Sequence, residues 1–281
     1  MDFTLSEEQQ ALVNVTRQFA QKELADYADK IEKTGLPAPG ILLQSYAEMG
    51  FLGVNLPAHY GGGGMSHLDA VLVLEELAKV SVAAAFPVFE SCFGPALAIA
   101  HYGPEQMRSS VLPDVCSGNM IVAVSMSEPQ AGTALTDLKT ELVPNGKSFV
   151  LRGTKRWCSG AGHADAYVVY CRMSDAPGAK GIGAVLVHDG VEGFTFGAPE
   201  EHMGFRGIPS ADMYFDDVNV SADQIIVPAG GFKQLMEAFD LERCGNTTMS
   251  LACAQSAFDY VLAYVQELSL IHISEPTRRS Y

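Results

Sequence analysis

Apolar residues near the start of the chain recur at the spacing of an α-helix. Ser6 and Gln9 form a capping signature before the first such run, and Ser66 and Asp69 form a second one before LDAVLVLEELAKV. This second run is apolar on nearly every side, so we predict a helix in the interior rather than at the surface. Similar spacing continues through ILLQSYAEMG, PALAIAHYG and EQMRSSVLPDV, and residues 1–115 are predicted to form a helical domain.

The pattern changes after residue 115 to short β-branched and aromatic runs separated by turn signals such as Pro144-Asn145-Gly146. No helical segment interrupts these runs, so we expect residues 116–228 to form an antiparallel barrel or sandwich rather than a doubly wound sheet. Helical periodicity returns at residues 229–267, which are predicted to form the first helix of a C-terminal helical bundle. The fold class is therefore α+β. The predicted strands lie in MIVAVSM, KSFVLRGTKRW, AYVVYCRM, GAVLVHD, FTFG and DMYFDDVNV.

Composition narrows the classes of partner. A formal net charge of −15 argues against nucleic acid and an anionic membrane surface. We find no apolar run near transmembrane length and predict no membrane span. The six cysteines show no CxxC pair, which indicates buried thiols without disulfides or a metal site. The acidic, helix-like start MDFTLSEEQQ is unlike a targeting segment, so a cytoplasmic location is expected.

Two strand ends carry candidate chemistry in a chain without GxGxxG after a strand, GxxxxGK[ST], HExxH or GxSxG. Ser125 and Ser127 lie two residues apart and are predicted to share a face. Trp157, the only tryptophan, lies two residues before Ser159. An indole plate beside a hydroxyl donor suits a planar heteroaromatic ligand. A core tryptophan beside a turn serine is the alternative that spacing alone leaves open.

The chain resembles the acyl-CoA dehydrogenase family over residues 1 to about 267. The matching segments occur in family order and spacing: AEMGFLGVNLPAHYGGGGM, LVLEELAKV, HYGPEQ, MSEPQAGT with DLKT, GTKRWCSGAGHAD, MGFRGIPSADMYFDDVNV and FDLERCGN. The resemblance implies a helical domain, a β-barrel domain and a C-terminal four-helix domain, with FAD between the barrel and the helices. It also implies a homotetramer in fatty acid metabolism that passes electrons to electron-transfer flavoprotein.

The same resemblance implies a set of FAD contacts. The backbone of Met126 and the hydroxyl of Ser127 would meet the pyrimidine end of the flavin. Trp157 would cover the ring, and Ser159 would approach N5. Gly132 would let the chain approach a pyrophosphate, where Thr133 would supply a hydroxyl to FAD or to CoA. The expected cofactor-binding residues are Ser125, Met126, Ser127, Gly132, Thr133, Trp157, Cys158 and Ser159.

The implied reaction is α,β-dehydrogenation of an acyl-CoA thioester, in which a carboxylate takes the α-proton while the β-hydrogen leaves as hydride to the flavin. In most of the family that carboxylate lies late in the C-terminal domain, beyond the matched residues. In a minority it lies on the first helix of that domain, where this chain has Glu242, and both assignments remain open. A solvated or Arg-paired helix acid is the other interpretation of Glu242. Asp240, Leu241, Arg243 and Thr133 would contact the substrate.

Gly132-Thr133-Ala134 departs from the usual Gly-Ser-Asp of the family. A similar loss occurs in the desulfinase branch, so a flavin-containing acyl-CoA lyase is an alternative function. The segment FPVFESCFGP has no arginine to hold a sulfino group, which favours dehydrogenation. A non-catalytic acyl-CoA-binding relative is a third alternative. Phe86, Phe89 and Phe93 are candidates for either the acyl-tail pocket or the core.

The last residues, LSLIHISEPTRRSY, break the helical pattern. They resemble the in-frame translation of a transposase-type sequencing adapter. We therefore expect residues 268–281 to be a non-native tail and the chain to be a fragment of a longer gene. On this interpretation, the expressed fragment would bind FAD poorly and have impaired activity.

Overall fold

The helical domain predicted for the start of the chain is present in the structure, a computed structural model that describes residues 4–267. The expected non-native tail lies outside the described residues. A single π-helical turn, Ala20–Leu24, follows the first helix. The α-helices of this part are α1 Glu7–Phe19, α2 Ala25–Thr34, α3 Gly40–Glu48, α4 His67–Ala78, α5 Val82–Cys92, α6 Pro95–Tyr102 and α7 Glu105–Cys116.

Both predicted capping signatures are confirmed. The Ser6 hydroxyl accepts a hydrogen bond from the Gln9 backbone N–H at 3.1 Å, and the Gln9 side chain accepts one from the Ser6 N–H at 3.2 Å. Ser66 and Asp69 make the same reciprocal pair at the start of α4. Helix α4 is central, as its apolar circumference predicts, because it packs against α1, α5 and the later helix α8, Phe232–Glu267.

The 21-residue segment Val82–Tyr102 is long and apolar enough to cross a membrane by length and composition, with a mean hydropathy of 1.6 over an 18-residue window. The prediction from the sequence that no apolar run approaches transmembrane length is therefore wrong with respect to composition. In the fold, 78% of the tested window is buried inside the protein, and the segment is divided into α5 and α6 around Gly94. These features are those of core helices.

The middle of the chain forms an eight-stranded sheet with the hydrogen-bonded order β6-β7-β3-β2-β4-β5-β8, and β1 pairs with β4. Most pairings are antiparallel, whereas β1 and β2 each run parallel to β4. The α+β class is thus confirmed, although the sequence did not indicate β2 or β8. The strands are β1 Val122–Ser125, β2 Glu141–Asn145, β3 Ser148–Ser159, β4 Ala166–Arg172, β5 Ile182–His188, β6 Phe194–Phe196, β7 Ser210–Val220 and β8 Ile225–Val227.

Helix α8, Phe232–Glu267, crosses the junction between the helices and the sheet. Leu241 packs against a core shared by α6, α7, β4 and β5 and also against the core of the helical domain. Buried positions of α8 extend as far as Ala252, and the apolar residues from Phe258 onward are exposed. The first half of α8 therefore fixes the helices relative to the sheet.

All six cysteines are free thiols, but two of them differ from the expectation of burial. Cys244 and Cys253 are exposed because they lie on the solvent side of α8, whereas the other four are in the cores. The predicted domain boundaries after residues 115 and 228 fall at the end of α7 and between β8 and α8. These boundaries stay predictions.

The close contact of α8 with α5 depends on Gly245, where a Cβ would lie 2.8 Å from Phe89 Cδ2 and 2.9 Å from Phe93 Cγ. Overpacking of this kind costs about 1–3 kcal/mol, and the better helix propensity of alanine returns at most about 1 kcal/mol. We expect Gly245→Ala to lower the free energy of unfolding by about 1 kcal/mol, measured by urea denaturation. Gly40→Ala is the control, because a Cβ there meets nothing within 4 Å. Equal stabilities of the two variants would contradict this packing.

Candidate functional site

A cavity of about 210 Å³ lies where α5, the end of β1, β3 and α8 meet. It brings together segments that are far apart in the chain, and several of them carry residues singled out from the sequence. Its walls include Phe86, Phe89 and Glu90 of α5, Val124, Met126 and Ser127 at the end of β1, Arg156, Trp157, Cys158 and Ser159 of β3, Phe205, and Glu242, Arg243 and Asn246 of α8.

A buried ion pair holds the chain that leaves β1 against β3. Lys155 Nζ donates to Glu128 Oε1 at 2.9 Å and to the Met126 carbonyl at 2.9 Å. The Glu128 carboxylate also accepts the backbone N–H groups of Lys139 and Thr140 at 2.8 and 2.9 Å. Both charged side chains are almost wholly buried. Because both oxygens of Glu128 are hydrogen-bonded and the Lys155 ammonium donates to Glu128 and to the Met126 carbonyl, the ion pair fixes the backbone of Met126–Glu128 against β3.

The pKa values of the pair reflect this environment. Burial alone would raise the pKa of Glu128, but the Lys155 charge and the backbone donors outweigh it and hold that pKa below the ordinary value. Burial lowers the pKa of Lys155 in spite of the opposite effect of Glu128. The arrangement is a desolvated ion pair in which both oxygens of the carboxylate are hydrogen-bonded.

Ser125 does not share a face with Ser127, so that prediction is wrong. Strand β1 ends at Ser125, whose side chain is buried and whose hydroxyl lies 3.3 Å from the sulfur of Met213. After Ser125 the backbone is no longer part of a strand, and the next two residues, Met126 and Ser127, line the cavity. Ser125 therefore contributes to the interior of the sheet, and the strand-end platform begins one residue later than the sequence indicated.

Gly132 and Thr133 are exposed and follow a turn closed by the paired residues Glu128 and Ala131. Neither residue lines the cavity, and a Cβ on Gly132 would meet nothing within 4 Å. The surface around Gly132 leaves room for a ligand group beside the backbone. Contact with a pyrophosphate or with CoA at these two residues stays a prediction.

Trp157 lines the cavity with an indole that is 54% exposed, so it is not the core tryptophan of the alternative interpretation. Its backbone has a φ of 59°, within a break of the β3–β7 register between Lys155 and Cys158. A bulky residue in the left-handed region costs on the order of 1–3 kcal/mol, and such strain clusters at functional sites. The strained backbone presents the indole to the cavity instead of to the sheet interior.

Arg156 packs against the Trp157 indole. Its guanidinium carbon lies 4.7 Å from the centroid of the Trp157 ring, which is the geometry of a cation–π contact. The guanidinium is held in turn by Asp212 at 3.0 Å and by Glu200 at 3.5 Å. The indole is therefore stacked by a charge that two carboxylates keep in position.

The hydroxyls of Ser127 and Ser159 make no hydrogen bond within residues 4–267, although both residues line the cavity. Cys158, between Trp157 and Ser159, instead donates its thiol to the Val124 carbonyl at 3.2 Å, and burial raises its pKa to about 12. An exposed indole with unpartnered hydroxyls around it fits a flat ring system with acceptors on its rim. The residues present therefore suit FAD.

Glu242 reaches the cavity from α8 and is buried. Burial raises its pKa, and the Arg243 guanidinium, 2.6 Å from Glu242 Oε1, opposes that shift only in part. Arg243 also lies over the Phe239 ring, 4.1 Å from the centroid. The alternative of a solvated helix acid is excluded by this burial, although Glu242 is Arg-paired.

Only one of the predicted substrate contacts on α8 lines the cavity, and that one is Arg243. Asp240 is exposed, and Leu241 packs into the cores on either side of the helix. Successive positions of a helix point in different directions, so the short motif could not place all of its residues at one site. Substrate contacts by Asp240 and Leu241 stay predictions without support from the cavity.

Glu90 is a cavity residue that the sequence analysis missed. It lies on α5, is buried, and shares the cavity with Glu242. The signal that could have found it is an acid within the otherwise apolar run VAAAFPVFESCFGPALAIA. Phe86 and Phe89 line the cavity as well, whereas Phe93 belongs to the core. No group of three or more potential metal ligands occurs in the described part of the chain.

Comparison with known proteins places this geometry in a family. Residues 6–119 match the acyl-CoA dehydrogenase N-terminal domain, and residues 123–218 match the middle domain. The chain is 33% identical to the acryloyl-CoA reductase (NADH) of Anaerotignum propionicum over 95% of this chain and 68% of that protein. It is 34% identical to a 3-sulfinopropanoyl-CoA desulfinase of Paraburkholderia xenovorans, over 94% and 69% of the two chains.

A solved structure has the same overall fold. Butyryl-CoA dehydrogenase from Megasphaera elsdenii superimposes with a TM-score of 0.90 at 28% identity, covering 96% of this chain and 71% of that one. The chain belongs to the acyl-CoA dehydrogenase family of FAD-binding oxidoreductases. The fold and cofactor implied by the sequence resemblance are thereby confirmed.

The raised pKa of Glu242 has a consequence for stability. Above the ordinary value of 4.5, the folded protein keeps a proton that the unfolded chain releases, so this residue lowers stability as pH rises toward its folded pKa. We expect Glu242→Gln to become more stable relative to the parent chain as pH rises from about 4 to about 8, measured by urea denaturation at each pH. Glu237→Gln, at an exposed position of α8, is the control. A stability difference that does not change with pH would contradict the burial of Glu242.

The Lys155–Glu128 pair predicts a non-additive pair of mutations. Lys155→Met leaves a buried carboxylate without its cation, and we expect a loss of about 3–5 kcal/mol in the free energy of unfolding, together with weaker FAD binding. The double variant with Glu128→Gln removes both charges and should recover part of that loss. Urea denaturation and a fluorescence titration with FAD measure the two effects. Additive losses would show that the pair does not act as a unit.

Proposed function

We propose that this chain carries the FAD-dependent α,β-dehydrogenation of an acyl-CoA thioester, with electrons passed to electron-transfer flavoprotein. The observation that carries this proposal is the composition of the cavity. It combines an exposed, strained indole and two unpartnered hydroxyls with a buried carboxyl on a facing helix. The wall formed by β1 and β3 suits a planar redox cofactor, and the wall formed by α8 supplies a carboxyl that can act as a base.

The chemical requirement is removal of a weakly acidic α-proton. Hydrogen bonds to the thioester carbonyl and the exclusion of water lower the cost of the negative charge that develops there. Bound FAD supplies the acceptor for the hydride that leaves the β-carbon. The protein must therefore hold the α-carbon near a base and the β-carbon near the cofactor.

Glu242 is the proposed base. Its raised pKa makes the ionised carboxylate a stronger base than a carboxylate in water, and its burial keeps it close to an apolar acyl chain. Arg243, paired to one of its oxygens, restricts the orientation of the carboxylate and lines the same cavity. Arg243 thus positions the base and offers a contact to the bound thioester.

The residues of β1 and β3 are proposed to hold the cofactor. Ser127 and Ser159 would donate hydrogen bonds to the flavin rim, and Trp157 would cover the ring. The ion pair beneath Met126 keeps the carbonyl and the following backbone in place without a change on binding. Gly132 and Thr133 would contact the pyrophosphate or the CoA on the exposed side.

A short acyl group is the proposed substrate class. Both curated relatives described above are named for three-carbon acyl-CoA substrates. One of them is a desulfinase, and Ala134 stands where most of the family has an acid, so C–S bond cleavage is the second candidate function. The products distinguish the two: dehydrogenation gives an enoyl-CoA and a reduced acceptor, whereas lysis releases a leaving group without net redox change. Tetrameric assembly and a cytoplasmic role in fatty acid metabolism stay predictions.

The test of the base is single-turnover reduction. The chain loaded with FAD is mixed anaerobically with butanoyl-CoA, and bleaching of the flavin absorbance is followed. We expect Glu242→Gln to slow the bleaching by about 10²–10⁴-fold while FAD and butanoyl-CoA still bind, because general base catalysis contributes that much. Asp259→Asn, at an exposed position of α8, is the matched control. Bleaching of the Glu242→Gln variant at the parent rate would assign the base to another carboxylate.

A further inference from the structure

Glu90 is exceptional among the buried carboxyls of the described chain, because it has no hydrogen bond or ion pair. Glu76, equally buried on α4, pairs with Arg17 and Lys79. Glu128 pairs with Lys155. A buried polar group without a partner is costly and calls for a functional explanation.

The position of Glu90 supplies the second observation. It borders the 210 Å³ cavity and also two smaller cavities, the voids of about 20 and 30 Å³. Each void is large enough for one or two water molecules. One is lined mainly by apolar residues such as Leu43 and Val115, and the other by residues such as Ile121 and Ile208. The carboxyl is therefore a polar group between the candidate site and two small voids that are lined mainly by apolar residues.

The neighbours of Glu90 on α5 restrict the length of what can bind. Phe86 and Phe89 are stacked with ring centroids 5.3 Å apart, and Phe205 meets Phe86 edge-on at 5.4 Å. These rings line the same cavity as Glu90, and the spaces beyond it are the two small voids. A short chain fits within this boundary, whereas a long chain would have to displace the packed rings.

The surroundings of the Glu90 carboxyl favour its neutral form. Burial raises its pKa well above the ordinary value, and the nearby charge of Glu242 raises it further. A neutral carboxylic acid donates one hydrogen bond and accepts others, whereas an ionised carboxylate can only accept.

We propose that Glu90 is a specificity-determining residue that hydrogen-bonds a polar substituent, such as a hydroxyl, on a short acyl chain. This inference rests on the proposed acyl-CoA function and names its substrate class. A polar substituent completes the hydrogen bonds of the buried carboxyl. A methyl group in the same place leaves the carboxyl without a partner, and sites built to hydrogen-bond a substrate strongly reject analogues that lack the group.

The experiment uses two nearly isosteric ligands, 3-hydroxypropanoyl-CoA and butanoyl-CoA, which differ by a hydroxyl in place of a methyl. Dissociation constants are obtained anaerobically from the dependence of the single-turnover bleaching rate on acyl-CoA concentration in the FAD-loaded chain. We expect the parent chain to bind the hydroxyl ligand at least about 10-fold more tightly. Glu90→Leu should abolish or reverse that preference, and Glu90→Gln, which keeps a donor and an acceptor, should retain most of it. Ser91→Ala is the matched control, because the neighbouring Ser91 lines one small void and not the cavity.

Infrared difference spectroscopy gives a readout that does not depend on turnover or on bound flavin. We expect the difference spectrum between the parent chain and Glu90→Gln at neutral pH to contain the carbonyl band of a protonated carboxylic acid, and the difference spectrum between the parent chain and Ser91→Ala to lack it. Absence of the band from the first difference spectrum would overturn the neutral state of Glu90.

The outcomes separate this inference from the proposed function. If neither acyl-CoA perturbs the flavin, the proposed function fails. If both bind, but the parent chain does not distinguish them, or Glu90→Leu leaves their ratio unchanged, Glu90 does not determine specificity and the proposed function stands. Should Glu90→Leu not fold, Glu90→Met, whose side chain likewise cannot donate a hydrogen bond, takes its place with the same expected loss of preference.

Discussion

The buried ion pair between Lys155 and Glu128 connects the two strand ends on which the candidate site is built. Through it, the segment after β1 is tied to β3, so the wall that contains Ser127 and the wall that contains Trp157 form one surface. Removing two charges from water costs several kcal/mol for each ion. Here the cost is offset by the attraction between the two charges and by hydrogen bonds to the backbone. The N–H groups of Lys139 and Thr140 donate to the carboxylate, and the ammonium donates to the Met126 carbonyl. The result is a rigid platform in a part of the chain that has little regular secondary structure.

The opposite wall of the cavity is formed by helices α5 and α8 and contains carboxyl groups without such a network of hydrogen bonds. Glu90 and Glu242 come from α5 and α8, and packing of these helices around Gly245 brings both carboxyls to one cavity. Neither carboxyl has the network of donors that stabilises Glu128, and burial raises the pKa of both. The protein thus contains one buried acid that its partners keep ionised and two whose surroundings favour the protonated form. Such contrasting environments are how one fold supports different acid–base roles.

Much of the architecture could be predicted from the sequence because it depends on local signals. The capping residues at Ser6 and Ser66 act over three positions, and the apolar spacing that marks α4 acts over a few turns. The family motifs identified Trp157 and Ser159, which do lie at the cavity. Ser125 was misplaced because strand alternation was extended one residue too far. Strand β8 was not detected because its three residues pair with distant β5 and carry almost no periodicity of their own.

What the sequence by itself determined was the kind and order of the elements, together with the family, since periodicity, caps and motif spacing are properties of neighbouring residues. Which side chains share a cavity, and which of them carry charge, was decided only by the tertiary structure. Glu90, Trp157 and Glu242 are far apart along the chain and meet because α5, β3 and α8 pack at one junction. Their protonation depends on how much water that packing removes, and this degree of burial is a property of the folded whole.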